Sequence, residues 1–282
     1  MRVGVGLPTS TANATGELLV EWARRADGGP FNSLGVVDRV AYRNLEPLVA
    51  LAAAAAVTRR IELLTMVLIG PLRNPTLLAK QLASIEVLAP GRLTVGLGVG
   101  ARDDDYTVAE LDPRRRGARL ADQLELLRTV WEAGRVGPRP SSPAGPRILV
   151  GGGSGQAFAR MARYADGYAH GGGPPRAFAS AVSKARAAWT EAGRPGTPLF
   201  YGMAYFALGE EAANTGAAYL RHYYAFTGPF AEKVAAANLT SPGSIVDMLR
   251  GYEEAGCDQL VLFPTVSELE QLDRLGEVLA GR

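Results

Sequence analysis

A glycine-rich segment, Gly151-Gly152-Gly153-Ser154-Gly155, is the clearest chemical signal in the sequence. It directly follows a short apolar run and directly precedes a helical pattern that begins at Gln156. Backbone N–H groups are free at the positive end of a helix, and glycine lets an anion approach them closely. The segment therefore predicts a phosphate cradle. The alternative interpretation is a tight turn in which Ser154 only caps the helix.

Few side chains in the sequence could exchange a proton with a substrate. His170 ends a short apolar run, and Asp38 and Arg39 directly follow another. Such groups at strand ends are typical of functional sites, because burial and neighbouring charges tune their pKa values there. We therefore predict catalytic roles for Asp38, Arg39 and His170. His222, which stands among tyrosines in a helical pattern, is interpreted as a hydrogen-bonded structural residue.

Other chemistries are excluded by what the sequence lacks. Cys257 is the only cysteine, which leaves no intramolecular disulfide and no zinc site built on paired thiolates. The acidic run Asp103–Asp105 has no histidine or cysteine at metal-ligand spacing, so no metal is expected. The segment Gly96–Ala101 matches the dinucleotide pattern G-x-G-x-x-A, but polar residues follow it where the pattern requires a helix. A serine nucleophile elbow is absent too, because Ser154 stands at the wrong position in its glycine run.

Composition and charge restrict the classes of partner. The chain has 282 residues, of which 47% are hydrophobic and 21% charged, as in a globular protein with a substantial core. The 30 Lys and Arg residues nearly balance the 28 Asp and Glu residues, so there is no charge excess for binding a nucleic acid or a membrane surface. No secretory signal is recognised, and the longest apolar stretch, Leu48–Val57, is too short to cross a bilayer. We predict a cytoplasmic protein with a small-molecule substrate.

Short runs rich in Val, Ile and Leu alternate with helical patterns, which is typical of βα units around a parallel sheet. The eight predicted strands cover Arg2–Leu7, Ser33–Val37, Ile61–Leu68, Arg92–Gly98, Arg147–Gly151, Gly167–His170, Leu199–Leu208 and Gln259–Phe263. The helices predicted after them cover Gly16–Ala26, Glu46–Thr58, Pro75–Leu88, Arg114–Ala133, Gln156–Tyr164, Pro175–Ala192, Ser241–Ala255 and Ser267–Leu279. Eight such units predict an α/β protein with one (β/α)8 TIM barrel over residues 1–282, although the length alone also allows two smaller domains.

Three segments depart from the minimal βα unit. Gly100–Pro113 after strand four and Glu210–Thr240 after strand seven are predicted to be short insertions on the C-terminal face, where barrel enzymes build their active sites. Gly137–Pro146, rich in Pro and Gly, is the only linker-like segment. Because it leads from a helix to the next strand, we interpret it as a surface loop and predict a single domain.

Four segments together resemble the luciferase-like monooxygenase family of flavin- or deazaflavin-dependent oxidoreductases. They are Glu46–Gly100, Gly100–Trp131, Ile148–Tyr168 and Glu253–Pro264. The resemblance extends over nearly the whole chain, and the spacing of the segments is more specific than any single motif. It implies a barrel that binds either FMN or the deazaflavin coenzyme F-420, and it also implies a homodimer.

The resemblance assigns the positions that bind the cofactor. It implies that Thr65, Met66 and Val67 form a bulge of strand three beneath the ring. It implies a phosphate cradle at Gly152, Gly153, Ser154 and Gly155. Gly98 and Gly100 would line the cleft at the end of strand four. Relatives commonly have a non-prolyl cis peptide bond in this bulge, which here would join Met66 to Val67. Asp38 matches an acidic strand end that faces the cofactor.

The sequence also departs from relatives that oxidise a sugar phosphate. Those deazaflavin enzymes have a histidine, an acid and a lysine where this sequence has Arg39, Ala101 and the segment Gly171–Pro174. Oxidation of a sugar phosphate is therefore disfavoured. The candidates for orienting a substrate or exchanging a proton are Arg39, Arg102, Tyr106 and His170.

The residues and the resemblance together predict an oxidoreductase acting on a small organic substrate at the C-terminal face. Coenzyme F-420 would imply hydride transfer, and FMN could also imply monooxygenation. The composition, rich in Ala, Arg and Gly, resembles that of GC-rich actinobacterial proteins and so favours the deazaflavin. Two alternatives stay open: a non-catalytic flavin carrier or sensor, and a flavin-free barrel hydrolase or isomerase that uses Asp38 and His170.

Overall fold

Eight parallel strands close into a barrel in the computed structural model, which describes residues 1–282. The strands are β1 (Arg2–Gly6), β2 (Ser33–Val36), β3 (Glu62–Ile69), β4 (Leu93–Gly98), β5 (Arg147–Gly151), β6 (Gly167–Ala169), β7 (Leu199–Phe206) and β8 (Gln259–Pro264). They follow one another in chain order around the barrel, and β8 pairs with β1 to close it. The predicted (β/α)8 fold is confirmed.

Helices surround the strands. They are α1 (Gly16–Gly28), α2 (Pro47–Val57), α3 (Pro75–Leu88), α4 (Asp103–Val108), α5 (Arg116–Val130), α6 (Gly155–Tyr164), α7 (Pro175–Glu191), α8 (Glu210–Tyr223), α9 (Phe230–Ala236), α10 (Pro242–Glu254) and α11 (Glu270–Ala280). Several begin at a side chain that accepts a hydrogen bond from a free helix N–H, as Thr15, Asn74 and Ser241 do for α1, α3 and α10. None of these helices has the length and apolar character needed to span a membrane.

The two predicted insertions contain helices of their own. The excursion after β4 forms α4, and the longer one after β7 forms α8 and α9. The helix predicted over Arg114–Ala133 starts as a 3-10 turn at Pro113–Arg115, and α5 ends early because the chain turns through Gly134, whose φ is 63°. The last helix begins later than predicted, since the hydroxyl of Ser267 donates to the carbonyl of Ala12 at 2.7 Å and holds that segment against the loop after β1.

The inside of the barrel is filled by apolar side chains, among them Met66, Met203 and Phe263. The ring of Phe263 fits because Gly6 and Gly35 carry no side chain. A Cβ on Gly6 would lie 2.2 Å from this ring, and one on Gly35 would lie 2.8 Å from it. A ligand site must therefore lie at one end of the barrel, and the C-terminal end has the long connections that can build one.

Candidate active site

The end of β3 is irregular and places Val67 against β4. The register between β3 and β4 shifts just after Thr65, and the peptide bond between Met66 and Val67 is cis, as the resemblance implies. The Thr65 hydroxyl donates to the carbonyl of Gly96 at 2.8 Å. A Cβ on Gly96 or on Gly98 would lie 2.8 Å from a methyl group of Val67. Glycine at both positions therefore lets Val67 lie against β4 and leaves a surface of low relief at the mouth.

The loop between β5 and α6 contains the predicted helix cap and has room for a phosphate. Ser154 caps α6, because its hydroxyl oxygen accepts the N–H of Ala157 at 3.2 Å. Gly152 has a φ of 122°, and a Cβ placed on Gly153 or Gly155 would have no heavy atom within 4 Å. The first N–H groups of a helix have no partner within the helix. The loop therefore leaves open space in front of free donors at the positive end of α6, an arrangement suited to binding phosphate.

A groove of about 600 Å³ adjoins the cradle between α5 and α6, and three arginines line it. They are Arg114, Arg116 and Arg160. Arg160 Nε is buried without a hydrogen-bond partner, and burial lowers the pKa of this guanidinium. Because an unpaired buried charge is unfavourable, an anionic ligand would stabilise the groove. None of the three was among the predicted site residues, although the arginine run at positions 114–116 is a signal for an anion site.

Asp38 is fully engaged with other residues of the protein. Its side chain is shielded from solvent, and its Oδ2 accepts from the N–H of Ile69 at 2.7 Å and from Nη1 of Arg73 at 2.5 Å. Its Oδ1 accepts from Nη2 of Arg73 at 3.1 Å, and Arg73 also donates to Glu46. Because Ile69 ends the bulged strand β3, the carboxylate of Asp38 fixes that end. These bonds favour a positioning role over proton transfer.

Arg39 is also buried in ion pairs. Its Nε donates to Oδ2 of Asp105 at 2.7 Å, its Nη2 donates to Oδ2 of Asp104 at 2.6 Å, and only 4% of its side chain is exposed. Asp105 in turn accepts the N–H groups of Val40 and Ala41 at 2.8 and 2.7 Å. Two carboxylates of the acidic run thus tie the turn after β2 to α4.

His170 presents an unpaired ring nitrogen at the C-terminal end of β6. Its Nδ1 lies 3.2 Å from the Tyr168 hydroxyl, whereas its Nε2 is buried without a partner. Burial lowers the pKa of the imidazole, which favours the neutral ring. Burial also raises the pKa of Tyr168 to about 12, which keeps that hydroxyl protonated. Nε2 lies against the loop between β6 and α7, where a Cβ on Gly173 would be 4.0 Å from it.

The register of the barrel brings the cradle and the bulge together, whereas the imidazole of His170 lies on the helix side of β6. Gly151, the last residue of β5, pairs with Ala169, whose side chain faces the inside of the barrel. The His170 ring packs instead against Tyr168 and against Phe178 of α7, at 6.0 and 5.5 Å between centroids. Val67 reaches β4 and β5, since a Cβ on Gly98 would lie 2.8 Å from it and one on Gly151 would lie 3.4 Å from it. Bulge and cradle thus form one continuous site across β3, β4 and β5.

Other predicted residues lie away from this continuous site. The Tyr106 ring is buried and its hydroxyl donates to the carbonyl of Val99 at 2.5 Å, so it supports the end of β4. Gly100, with a φ of 72°, turns the chain out of β4. His222 is exposed, and its Nδ1 lies 3.0 Å from the Tyr42 hydroxyl. No group of three or more His, Cys, Asp or Glu side chains is placed to hold a metal ion.

The family model described as luciferase-like monooxygenase matches residues 1–255. The chain belongs to this family. Among curated relatives, the uncharacterized protein Rv0953c of Mycobacterium tuberculosis is 34% identical over 172 residues, which are 55% of this chain and 60% of that protein. The chain thus spans less than two thirds of the length of this relative.

Solved structures of two oxidoreductases share the fold. An F420-dependent secondary alcohol dehydrogenase, in complex with an F420-acetone adduct, has a TM-score of 0.80 at 16% identity, covering 98% of this chain and 97% of that one. The oxygenating constituent of 3,6-diketocamphane monooxygenase from Pseudomonas putida, in complex with FMN, has a TM-score of 0.74 at 14% identity, covering 100% and 99%. Proteins of this fold therefore include both deazaflavin- and FMN-binding oxidoreductases.

Proposed function

We propose that this protein is an oxidoreductase that binds a phosphorylated deazaflavin or flavin at the C-terminal face of the barrel and acts on a small organic substrate. The observation that carries the proposal is the continuous site in which the Val67 bulge lies against the ends of β4 and β5, where the Gly152–Gly155 cradle begins. When bound, such a cofactor supplies the redox chemistry, by hydride transfer or, for FMN, also by reaction with oxygen. The protein supplies binding and orientation.

The residues of the site fit such a cofactor. The open positions at Gly153 and Gly155 leave room for a phosphate in front of the first turn of α6. Val67 and the glycines beneath it offer a surface on which a flat ring can lie. Gly98 leaves the end of β4 without a side chain, so that Val67 can lie against it.

The arginine groove favours coenzyme F-420 over FMN. FMN ends in one phosphate, whereas the deazaflavin continues beyond its phosphate into a tail that carries carboxylates. Arg114 already donates to Asp112 at 3.0 Å, so the groove of about 600 Å³ offers Arg116 and Arg160 to such a tail. Arg160 is partly exposed, and its outer N–H groups can donate to an acceptor in the groove.

We assign His170 a structural role, because its ring packs between Tyr168 and Phe178 on the helix side of β6. Its Nε2 carries the proton when the Tyr168 hydroxyl donates to Nδ1, and it is an acceptor when Nδ1 carries the proton instead. Asp38 and Arg39 act as positioning residues that hold the ends of β2 and β3 and the start of α4. Because Asp38 is paired with Arg73, the flavin-free hydrolase or isomerase is less well supported.

A paired cofactor titration tests the proposal. Binding of F-420 and of FMN is followed by fluorescence at equal salt for the wild type, Arg160→Gln and Arg163→Gln. Arg163 is the matched control, because it lies exposed on the same helix and contacts only the Tyr164 ring face. We expect Arg160→Gln to weaken F-420 binding by about tenfold or more, since a hydrogen bond to a charged group contributes ~1.5–3 kcal/mol. Arg163→Gln should bind as the wild type does.

The possible results separate the alternatives. If neither cofactor binds, the proposed function is refuted. If FMN and F-420 bind equally well and Arg160→Gln changes neither, the choice of the deazaflavin is wrong. If a cofactor binds but its reduced form is never reoxidised by a panel of organic substrates or by oxygen, the protein is a carrier or sensor.

We also propose that a second copy of the chain binds to α2 and α3. Six of the nine exposed large hydrophobic residues lie on these helices or on the loop before α2, namely Val40, Leu45, Val49, Leu77, Val87 and Leu88. A concentration of exposed apolar side chains on one face is typical of an interaction surface. Sedimentation measures the oligomeric state of the wild type and of Val49→Glu/Leu77→Glu. A dimeric wild type and a monomeric variant would support this proposal, and a monomeric wild type would refute it.

The cytoplasmic location stays a prediction from the sequence.

A further inference from the structure

A cluster of aromatic side chains covers one side of the barrel mouth, and neither the cradle nor His170 uses it. This cluster, which we call the aromatic wall, consists of Tyr42, Tyr205, Tyr219, Tyr223, Tyr224 and Phe226. The Tyr223 ring lies 5.2 Å from the rings of Tyr42 and Tyr224 between centroids, and the hydroxyls of Tyr205 and Tyr224 are 2.9 Å apart. Phe226 is 48% exposed, so the wall opens to solvent at that edge.

Three guanidinium groups lie at the mouth near the aromatic wall, and two of them are paired with carboxylates. Those two are Arg39 and Arg73, in the ion pairs described above. Arg102, which directly precedes α4, has no carboxylate oxygen within 4.0 Å, because the nearby acidic residues pair with other arginines. Its Nη2 donates to the carbonyl of Tyr223 at 3.1 Å, and its Nε is buried without a partner.

The guanidinium of Arg102 packs against three rings of the aromatic wall. Its Cζ lies 4.2 Å from the ring centroid of Phe226, 4.5 Å from that of Tyr223 and 5.4 Å from that of Tyr224. Ring faces attract a cation, but they do not replace an oxygen acceptor for the N–H groups in the plane of the guanidinium. A buried charged donor without an acceptor is unfavourable. Arg102 is partly exposed, so an anionic oxygen from a ligand at its outer N–H groups would offset that cost.

We propose that the substrate is a planar aromatic compound bearing a carboxylate, and that Arg102 recognises the carboxylate while the aromatic wall packs against the ring. Stacking against tyrosine and phenylalanine selects a flat apolar body, and a planar guanidinium is well matched to a carboxylate. A neutral amide of the same shape would offer Arg102 only a weaker acceptor. The inference rests on the proposed function for the chemistry done on this ligand, whereas its recognition depends only on Arg102 and the aromatic wall.

Two matched probes, 2-naphthoate and 2-naphthamide, test the proposal, because they share a ring and differ in charge. Their binding to the full-length protein is measured by titration calorimetry, with and without F-420. We expect the wild type to bind the naphthoate about tenfold or more tighter than the naphthamide, with a preference that shrinks as salt rises. Arg102→Gln should bind both probes equally and near the wild-type affinity for the naphthamide.

Two further variants keep the test decisive. Arg102→Lys retains the charge without the planar fork and should keep part of the preference. Arg250→Gln removes an exposed arginine of α10 and should change neither affinity. Circular dichroism establishes that each variant is folded.

The proposal is overturned if the wild type binds both probes equally, or if Arg102→Gln keeps the preference for the carboxylate. It is also overturned if Arg102→Gln weakens both probes by the same factor, because Arg102 would then only hold the excursion after β7 over the mouth. A carboxylate preference without any cofactor binding would support the ligand site and refute the redox function. Cofactor binding without the preference would do the reverse.

Discussion

Gly153→Asp places a negative charge in the cradle at little cost to the fold. Gly153 is exposed, and a Cβ there would meet no heavy atom within 4 Å. The neighbouring Gly152 does not offer the same test, since its φ is 122° and a Cβ on it would lie 3.0 Å from that of Ala157. Substitution at position 152 would therefore strain the backbone, whereas substitution at position 153 changes mainly the charge.

The expected effect on cofactor binding follows from Coulomb's law. Two unit charges about 6 Å apart repel each other by ~1.4 kcal/mol at an effective dielectric constant of about 40. A phosphate diester carries one negative charge and a monoester nearly two, so the loss should be ~1.4–2.8 kcal/mol, or about 10- to 100-fold in affinity. The smaller value applies to F-420 and the larger one to FMN.

The assay compares Gly153→Asp with Gly153→Asn, which has nearly the same size and no charge, in a fluorescence titration at two salt concentrations. We expect Gly153→Asn to bind within a few fold of the wild type. The deficit of Gly153→Asp should shrink at high salt, because the position is exposed to solvent. Wild-type affinity in Gly153→Asp would mean that the phosphate binds elsewhere. An equal loss in both variants would show that bulk, and not charge, is responsible.

Two further predictions concern the stability of the fold. Burial lowers the pKa of His170, so the unfolded chain binds more protons than the folded one once the pH falls below the ordinary value of 6.5. The protein should therefore be less stable at pH 5.5 than at pH 7.5. Thermal unfolding at these two pH values should show a smaller loss of stability in His170→Gln than in the wild type. Asp38→Asn breaks a buried ion pair and should lower the free energy of unfolding in urea by ~3 kcal/mol. Glu46→Gln, at the exposed end of the same arginine, should cost less than about 1 kcal/mol; equal losses would show that Asp38 has no special role.

The barrel and the turn from β5 into α6 could be predicted because their signals are local. Each βα unit repeats its own hydrophobic pattern within about 30 residues, and the closed barrel follows from the number of units. The cradle is a single run between a strand and a helix, so its neighbours in sequence are also its neighbours in space. The positions on β3 came from the resemblance, since a register shift leaves no periodic trace in the sequence.

The ion pairs that Asp38 and Arg39 form could not be predicted, because the partner residues are far apart in the chain. Asp38 and Arg73 are separated by 35 residues, and Arg39 and Asp105 by 66. The sequence shows Asp103–Asp105 as an ordinary solvated acidic run, and only the packing of α4 against the turn after β2 buries its last member. The arginine groove was missed for a similar reason, as it forms only where α5 and α6 come together.

One side of the barrel mouth consists mainly of backbone groups and glycines, and the other side consists of aromatic side chains. The cradle and the surface beneath Val67 depend on backbone N–H groups and on glycines, whereas most of the aromatic wall comes from the single excursion between β7 and α10. Mutations in that excursion can therefore accumulate without touching the groups that would hold a phosphate and a ring. Such a division makes the segment a natural unit of exchange between relatives, through which a lineage could vary one side of the mouth while inheriting the barrel and the glycine loop intact.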